Sequence, residues 1–334
     1  MKSMIKKFSR ELEVVAALAV IMVVFGVIQP IYFSPSNLLD ILDQSVINGL
    51  LAIGMTLVII TAGIDLTVGS TLAIVIVSVG NFLVMGLNPF AAVLAGAAIG
   101  FCLGLVNGIL VAKMKLQPFV ATLGMMSVYR GVAYLITGGW PVLNIPQNFR
   151  DIMDGDVIGT LSSSMILFLV VTVIAYILLK HTKFGTYLYS IGSNEEATRL
   201  SGVNVDFNKI MSYAICGVCV AFAGMVMLAK LGTGEPAAGA SYETNAIAAA
   251  AIGGTSLAGG KGSIIGTFLG AILLQALKVG LVVCGVDTFW QYIATGLIIV
   301  FAVYVDVIQG KLAAMRLNKN CLLYTSPSPR DTER

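Results

Sequence analysis

Pro89-Phe-Ala-Ala-Val-Leu-Ala-Gly-Ala-Ala-Ile-Gly-Phe-Cys-Leu-Gly-Leu-Val-Asn-Gly-Ile-Leu-Val-Ala112 carries no charged side chain and a single strongly polar one. A helix crossing the hydrocarbon core of a bilayer needs about 20 such residues, so this stretch is long enough to span. Working outward, comparable runs lie near 12–29, 46–62, 66–87, 118–137, 164–179, 210–230, 244–254, 264–283 and 288–307. The run at 244–254 is too short to cross as a regular helix. Across all 334 residues the apolar share is 57%, the charged share 11% and the mean hydropathy +0.93. A soluble domain carries about a quarter charged residues, and this chain has too few to keep a whole surface wetted. The sequence therefore predicts an all-α polytopic membrane protein with about ten spans.

Charge placement orients it. Lys2, Lys6, Lys7, Arg10, Lys113, Lys115, Lys180, Lys183, Arg199, Lys209, Lys261, Lys311, Arg316 and Lys319 fall on one side of the alternating spans, and only Arg150, Lys230 and Lys278 on the other. That other side holds Asp40, Asp43, Asp151, Asp154, Asp156, Glu235, Glu243 and Asp287. Under the positive-inside rule both termini face the cytoplasm. The run Val14–Ile28 continues into Gln29-Pro30 without a small-residue cleavage site, so it reads as the first span rather than a secretory signal. Residues 1–317 read as one membrane domain. The stretch 318–334 lacks periodicity and reads as a read-through or cloning scar, the alternative being a short disordered native tail.

Gly63-Ile-Asp-Leu-Thr-Val-Gly69 and Gly253-Gly-Thr-Ser-Leu-Ala-Gly-Gly-Lys-Gly262 interrupt long apolar regions in the two halves. Paired breaks of this kind are the sequence sign of an internal transporter repeat whose unwound backbone lines a path. Glycines recur every four residues at Gly96, Gly100, Gly104 and Gly108, and again at Gly262, Gly266 and Gly270. Such stripes let helices approach closely in lipid, within one chain or at a subunit seam.

Catalytic chemistry is poorly provided for. Four of the five cysteines sit in apolar stretches, and Cys216-Gly-Val-Cys219, despite its redox spacing, lies within one. The one histidine, His181, sits beside Lys180 and Lys183 at a helix end. No paired acids or metal-ligand spacing appear, so neither metal nor cofactor is expected. Lys261 follows Gly260, but a phosphate loop needs Gly where Thr255 stands and Ser or Thr where Gly262 stands. A pump built on this chain needs a separate motor.

Within 180–209, Ser193-Asn-Glu-Glu196 fits a capping box, Ala197 and Leu200 share a face, and Gly202 supplies a left-handed stop. A helix of about two turns is marginal alone and must dock, on its own protein or on a partner. Here the chain becomes recognisable. Glu196-Ala-Thr-Arg-Leu-Ser-Gly202 resembles the loop by which ABC importer permeases contact their ATPases, with Thr198 in place of a second Ala. The wider Gly192–Val203, Gly54–Ser70, Phe119–Met126 and Ala246–Gly262 resemble the permeases of ribose-type monosaccharide importers, over about 45–307.

The resemblance implies a homodimer of permeases, a cytoplasmic ABC ATPase with two nucleotide sites, and an extracytoplasmic sugar-binding protein. It implies a bacterial inner-membrane location and no nucleic-acid partner. It assigns ATPase coupling to Ser193, Asn194, Glu195, Glu196, Ala197, Thr198, Arg199, Leu200 and Gly202. Ribose is the first expectation for the sugar.

Polar groups inside the membrane are functional candidates, since a charge at mid-bilayer costs at least ~2.5 kcal/mol. Asp65 lies between two spans, either in a wetted turn or in a re-entrant one where it shapes the path or caps the next helix. Arg130 lies 12 residues into its span, roughly 18 Å deep at the helical rise. Asn107 and Phe119 complete the candidate path residues. Trp140, Trp290 and Tyr292 read as interfacial anchors. An ion-coupled secondary transporter is the rival reading, yet such proteins usually carry more intramembrane acids than this chain offers.

Overall fold

The computed structural model describes residues 9–159, 161–287, 289–291, 293–297, 300 and 304. Half of the tenth expected span, Tyr292 included, the terminal lysines and the 318–334 stretch lie outside the described residues. Up to residue 283, twelve α-helices run in order, with a 3-10 turn (Pro30–Phe33) after the first: α1 (Ser9–Ile28), α2 (Pro35–Ile60), α3 (Val68–Val84), α4 (Pro89–Ala112), α5 (Pro118–Thr137), α6 (Gln147–Asp154), α7 (Ser163–His181), α8 (Lys183–Ser193), α9 (Glu195–Leu200), α10 (Val205–Leu231), α11 (Tyr242–Ile252) and α12 (Ile264–Val283). A small hairpin, β1 (Asp156–Ile158) against β2 (Leu161–Ser162), is the only strand pair among the described residues. Seven helices (α1, α2, α4, α5, α7, α10 and α12) are long and apolar enough to cross a membrane. The chain is an all-α, multi-pass membrane protein.

Local signals set the ends. Pro35, Pro89 and Pro118 occupy first turns, where a missing N–H costs nothing. Ser34, Asn88, Ser162, Asn204 and Ser263 accept amide hydrogen bonds as N-caps. Gly138 and Gly232 close α5 and α10 in the left-handed conformation.

α2 begins earlier than the hydropathy of 46–62 implies, because Asp40, Asp43 and Gln44 are helical. Asp43 is held there by Lys230, which also reaches Asp154 at 2.9 Å. At 11 residues, α11 is about 16 Å long, half the thickness of a hydrocarbon core.

α2, α10 and α12 form the enclosed centre, while α1, α4, α5 and α7 turn wide apolar faces outward. Both glycine stripes pack within the chain. A Cβ on Gly100 would stand 2.2 Å from the Gly217 carbonyl oxygen of α10, and one on Gly104 2.2 Å from that of Tyr213. A Cβ on Gly266 would stand 2.0 Å from the Gly253 carbonyl oxygen, and one on Gly270 2.3 Å from that of Ala249 in α11. Backbones this close gain dispersion contacts that lipid chains cannot supply.

Candidate functional site: a joint between the two chain breaks and a short exposed helix

The first break, 61–67, follows α2, and the second, 253–263, follows α11. They lie against each other at the basic end of the bundle, the Gly260 N–H donating to the Ile60 carbonyl at 2.9 Å. Gly192 of α8 wedges into the same point: a Cβ there would stand 1.8 Å from the Ile60 oxygen and 2.4 Å from the Gly260 nitrogen. Tyr189, one turn earlier, donates its hydroxyl to the Gly262 carbonyl at 2.9 Å. α8 is thereby seated on both breaks, and it leads directly into α9.

The geometry of α9 differs from the capping box expected at Ser193. Ser193 ends α8, its hydroxyl donating back to the Tyr189 carbonyl. Asn194, extended at φ −160°, is the cap, its Oδ1 accepting from the Ala197 N–H at 2.9 Å. The two helices abut, so the chain must turn at one residue, and a carboxamide satisfies one of the free amides in the first turn of α9. The side of α9 that packs onto the chain itself carries Thr198, which is buried and donates to the Asn194 carbonyl, and not the Ala197 and Leu200 face. Ala197 is exposed and Leu200 is 85% exposed. Gly202 has φ +82° as expected of the stop, with open space around it.

Charge pairs brace α9. Arg199 donates to Asp206 at 2.9 Å and to Glu195 at 3.3 Å, Lys115 reaches Asp206 at 2.9 Å, and Lys209 reaches Glu195. Burial alone would raise the Glu195 carboxyl, but the hydrogen bond and charge of Lys209, with Arg199 and Lys115, leave it lowered. A depressed carboxyl adds stability that is complete above its unfolded pKa, about 4, and lost as pH falls through the lower folded value. Amide exchange at 197–202, corrected for intrinsic rate, is therefore expected to be steady from about pH 6 to about pH 8 and to quicken below about pH 4. The size is modest, because exposed pairs are well screened.

Above the joint lies a buried polar cluster. Asp65 Oδ1 accepts from the Thr67 amide at 2.9 Å, the Thr67 hydroxyl at 2.6 Å and the Asn107 carboxamide at 3.4 Å. Asn107 also donates to Thr67 Oγ1 at 2.7 Å and accepts from the Tyr129 hydroxyl at 3.2 Å. The Ile64 carbonyl accepts from Thr122 and Tyr213. One carboxylate thus pins the start of α3 to α4, and through Asn107 to α5.

Of the four candidate path residues, the structure brings Asp65 and Asn107 together. Arg130 instead donates to the carbonyls of Pro236 and Ala238 at 2.8 and 2.7 Å, clamping the segment before α11. Phe119 stands half-exposed in the first turn of α5. Thr67, Tyr129, Tyr213 and Gly192 were not singled out from the sequence. Thr67, two residues after an aspartate at a helix start, had a local turn signal; the others are defined only by what they meet. Among the described residues no group of acids, histidines and cysteines could hold a metal ion.

The family described as the permease component of branched-chain amino acid transport systems matches residues 37–303. The chain belongs to this family. Among curated relatives, the permease is 41% identical over 304 residues to ribose import permease protein RbsC of Escherichia coli K12, covering 90% of this chain and 95% of the relative. RbsC of Bacillus subtilis 168 is 40% identical over 86% of this chain and 90% of its own. D-allose transport system permease protein AlsC of Escherichia coli K12 is 36% identical over 88% and 90%. No solved structure matches the permease. Family and apolar helices together make it a multi-pass protein of the bacterial inner membrane.

Proposed function

We propose that this permease forms the sugar pathway of an ATP-driven monosaccharide importer, with ribose the first candidate substrate, and that a separate cytoplasmic ATPase grips it at α9. The observation that carries this reading is a helix of six residues with Ala197, Glu196 and Leu200 outward, seated through α8 on both chain breaks. A helix so short gains nothing by displaying a leucine to water, since burying that side chain is worth about 2 kcal/mol; a partner's pocket would recover it. The basic end then faces the cytoplasm, in keeping with the positive-inside rule.

In the working assembly two permeases enclose the path. A sugar-binding protein docks at the acidic end, chiefly on 138–163 and 231–243. The ATPase, on binding ATP, makes different contacts with α9 in its two states. Only that difference can shift the permease between inward and outward opening. ATP hydrolysis belongs to the partner, and ribose preference rests on the relatives' substrate.

Leu200→Asp is expected to leave insertion and melting temperature unchanged while abolishing co-purification with the ATPase and ATP-dependent uptake. Gly202→Pro is expected to uncouple uptake from hydrolysis, because proline cannot adopt φ +82° and its nitrogen cannot donate to the Arg199 carbonyl as Gly202 does. Normal uptake in both variants would refute the gripping role of α9. Uptake that survives loss of the ATPase but collapses with the ion gradient would replace the whole reading with a secondary transporter.

A further inference from the structure

At the basic end, away from the joint's exposed helix, α1 and α7 both rest on α12 and leave between them a cleft of about 310 Å³. That is at the small end of ligand sites, which run from roughly 300 to 1,000 Å³. It is lined by Glu11, Tyr176, Lys180, Ser263, Ile264 and Ile265, and it adjoins the joint at Tyr189 and Gly262. Ser263 donates to Glu11 Oε1 at 2.9 Å. Lys180 donates to the Tyr176 hydroxyl at 2.8 Å and stands 4.9 Å from that ring's centroid. One carboxylate and one ammonium are thus each steadied by the wall.

Both flanking helices face lipid. Leu12 and Val15 on α1, and Val173, Ile174 and Ile177 on α7, are exposed. On α12, Ile265 and Leu269, one turn apart on the same face, are half-buried. The cleft therefore pairs two opposite charges with apolar side chains, at the ends of two helices that present apolar faces outward. A soluble anion would be repelled by Glu11 and a soluble cation by Lys180. An anionic lipid would meet the same carboxylate.

We propose that the cleft binds the headgroup of a phosphatidylethanolamine from the surrounding leaflet. Its primary ammonium donates to Glu11, its phosphate accepts from Lys180, and an acyl chain follows α12 between α1 and α7. Phosphatidylcholine carries the same charges, but its trimethylammonium has no N–H to offer the carboxylate. The pairing therefore discriminates by hydrogen bonding as well as by charge.

The test uses the full chain in detergent, with native mass spectrometry counting retained phosphatidylethanolamine, phosphatidylcholine and phosphatidylglycerol. Phosphatidylethanolamine is expected to be retained at about tenfold lower concentration than either, the size of one hydrogen bond to a charged group. Glu11→Gln, whose amide oxygen can still accept from Ser263, is expected to erase that preference. Lys180→Gln is expected to weaken retention of all three. Ile265→Trp fills part of the cleft while keeping both charges and is expected to lower retention by a second route.

Melting curves in lipid-free detergent separate lost binding from lost fold. Equal retention of the three lipids, or an undiminished preference in a folded Glu11→Gln protein, overturns the proposal. So does displacement of the lipid by an equal concentration of free O-phosphoethanolamine, which would assign the cleft to a soluble zwitterion.

Discussion

Gly192→Ala is expected to be the most damaging single-methyl change in this protein, lowering the melting midpoint by about 5 °C or more and abolishing uptake. The new carbon would lie 1.8 Å from the Ile60 oxygen and 2.4 Å from the Gly260 nitrogen. Both obstacles are backbone, so no side-chain rotation relieves them. Either α8 lifts off or the Gly260–Ile60 hydrogen bond breaks, and with it the contact between the two breaks. Overpacking of this kind costs about 1 to 3 kcal/mol or more.

Gly202→Ala is the matched control. It adds the same methyl where nothing lies within 4 Å, so only the left-handed backbone is strained, at about 1 kcal/mol. Thermal melts of the two purified variants, with uptake in reconstituted vesicles, make the comparison. If Gly192→Ala were as stable and active as Gly202→Ala, α8 could not be the rigid seat that carries motion from α9 into the membrane.

Asp65→Ala is expected to cost about 3 kcal/mol and to deplete folded protein in the membrane. It strips the acceptor from the Thr67 amide and hydroxyl and from Asn107, all buried. A buried donor left unpaired costs about 1 to 3 kcal/mol. Asp65→Asn keeps an oxygen at the same place and is expected to stay within about 1 kcal/mol of the unaltered chain. It is also expected to transport, because the carboxylate's task here is to accept three donors and hold the start of α3. The measurement is again a melt paired with an uptake rate. A well-folded Asp65→Asn protein without uptake would show that the charge itself takes part in translocation.

These two sites show how differently parts of the chain could be read in advance. The spans of α4, α5 and α12 are visible to the residue, because a proline or a capping side chain starts each and the apolar run stops where polar residues begin. The early start of α2 is not visible. Asp40 and Asp43 look like loop residues until Lys230, 187 positions away from Asp43, is seen to neutralise one of them. The α9 motif is legible as a short capped helix, yet which residue caps it and which faces inward depended on α8 running directly into it. Asp65 and Asn107 could each be picked as polar residues in apolar surroundings, but 42 positions separate them and nothing in either segment says that they meet.

By itself the sequence determined what any segment must do alone in lipid or water: which stretches are apolar enough to span, which side carries the basic residues, where helices start and stop, and which long motifs mark the family. Those properties follow from transfer free energy and local backbone geometry, which are sums over neighbours in the chain. The tertiary structure alone decided that the two glycine-rich breaks touch, that Gly192 seals their junction, that Arg130 clamps carbonyls rather than a carboxylate, and that Glu11 and Lys180 line one cleft. Those pairings depend on how helices pack across hundreds of residues, and packing reads shape and unsatisfied hydrogen bonds at a distance that no window along the chain contains.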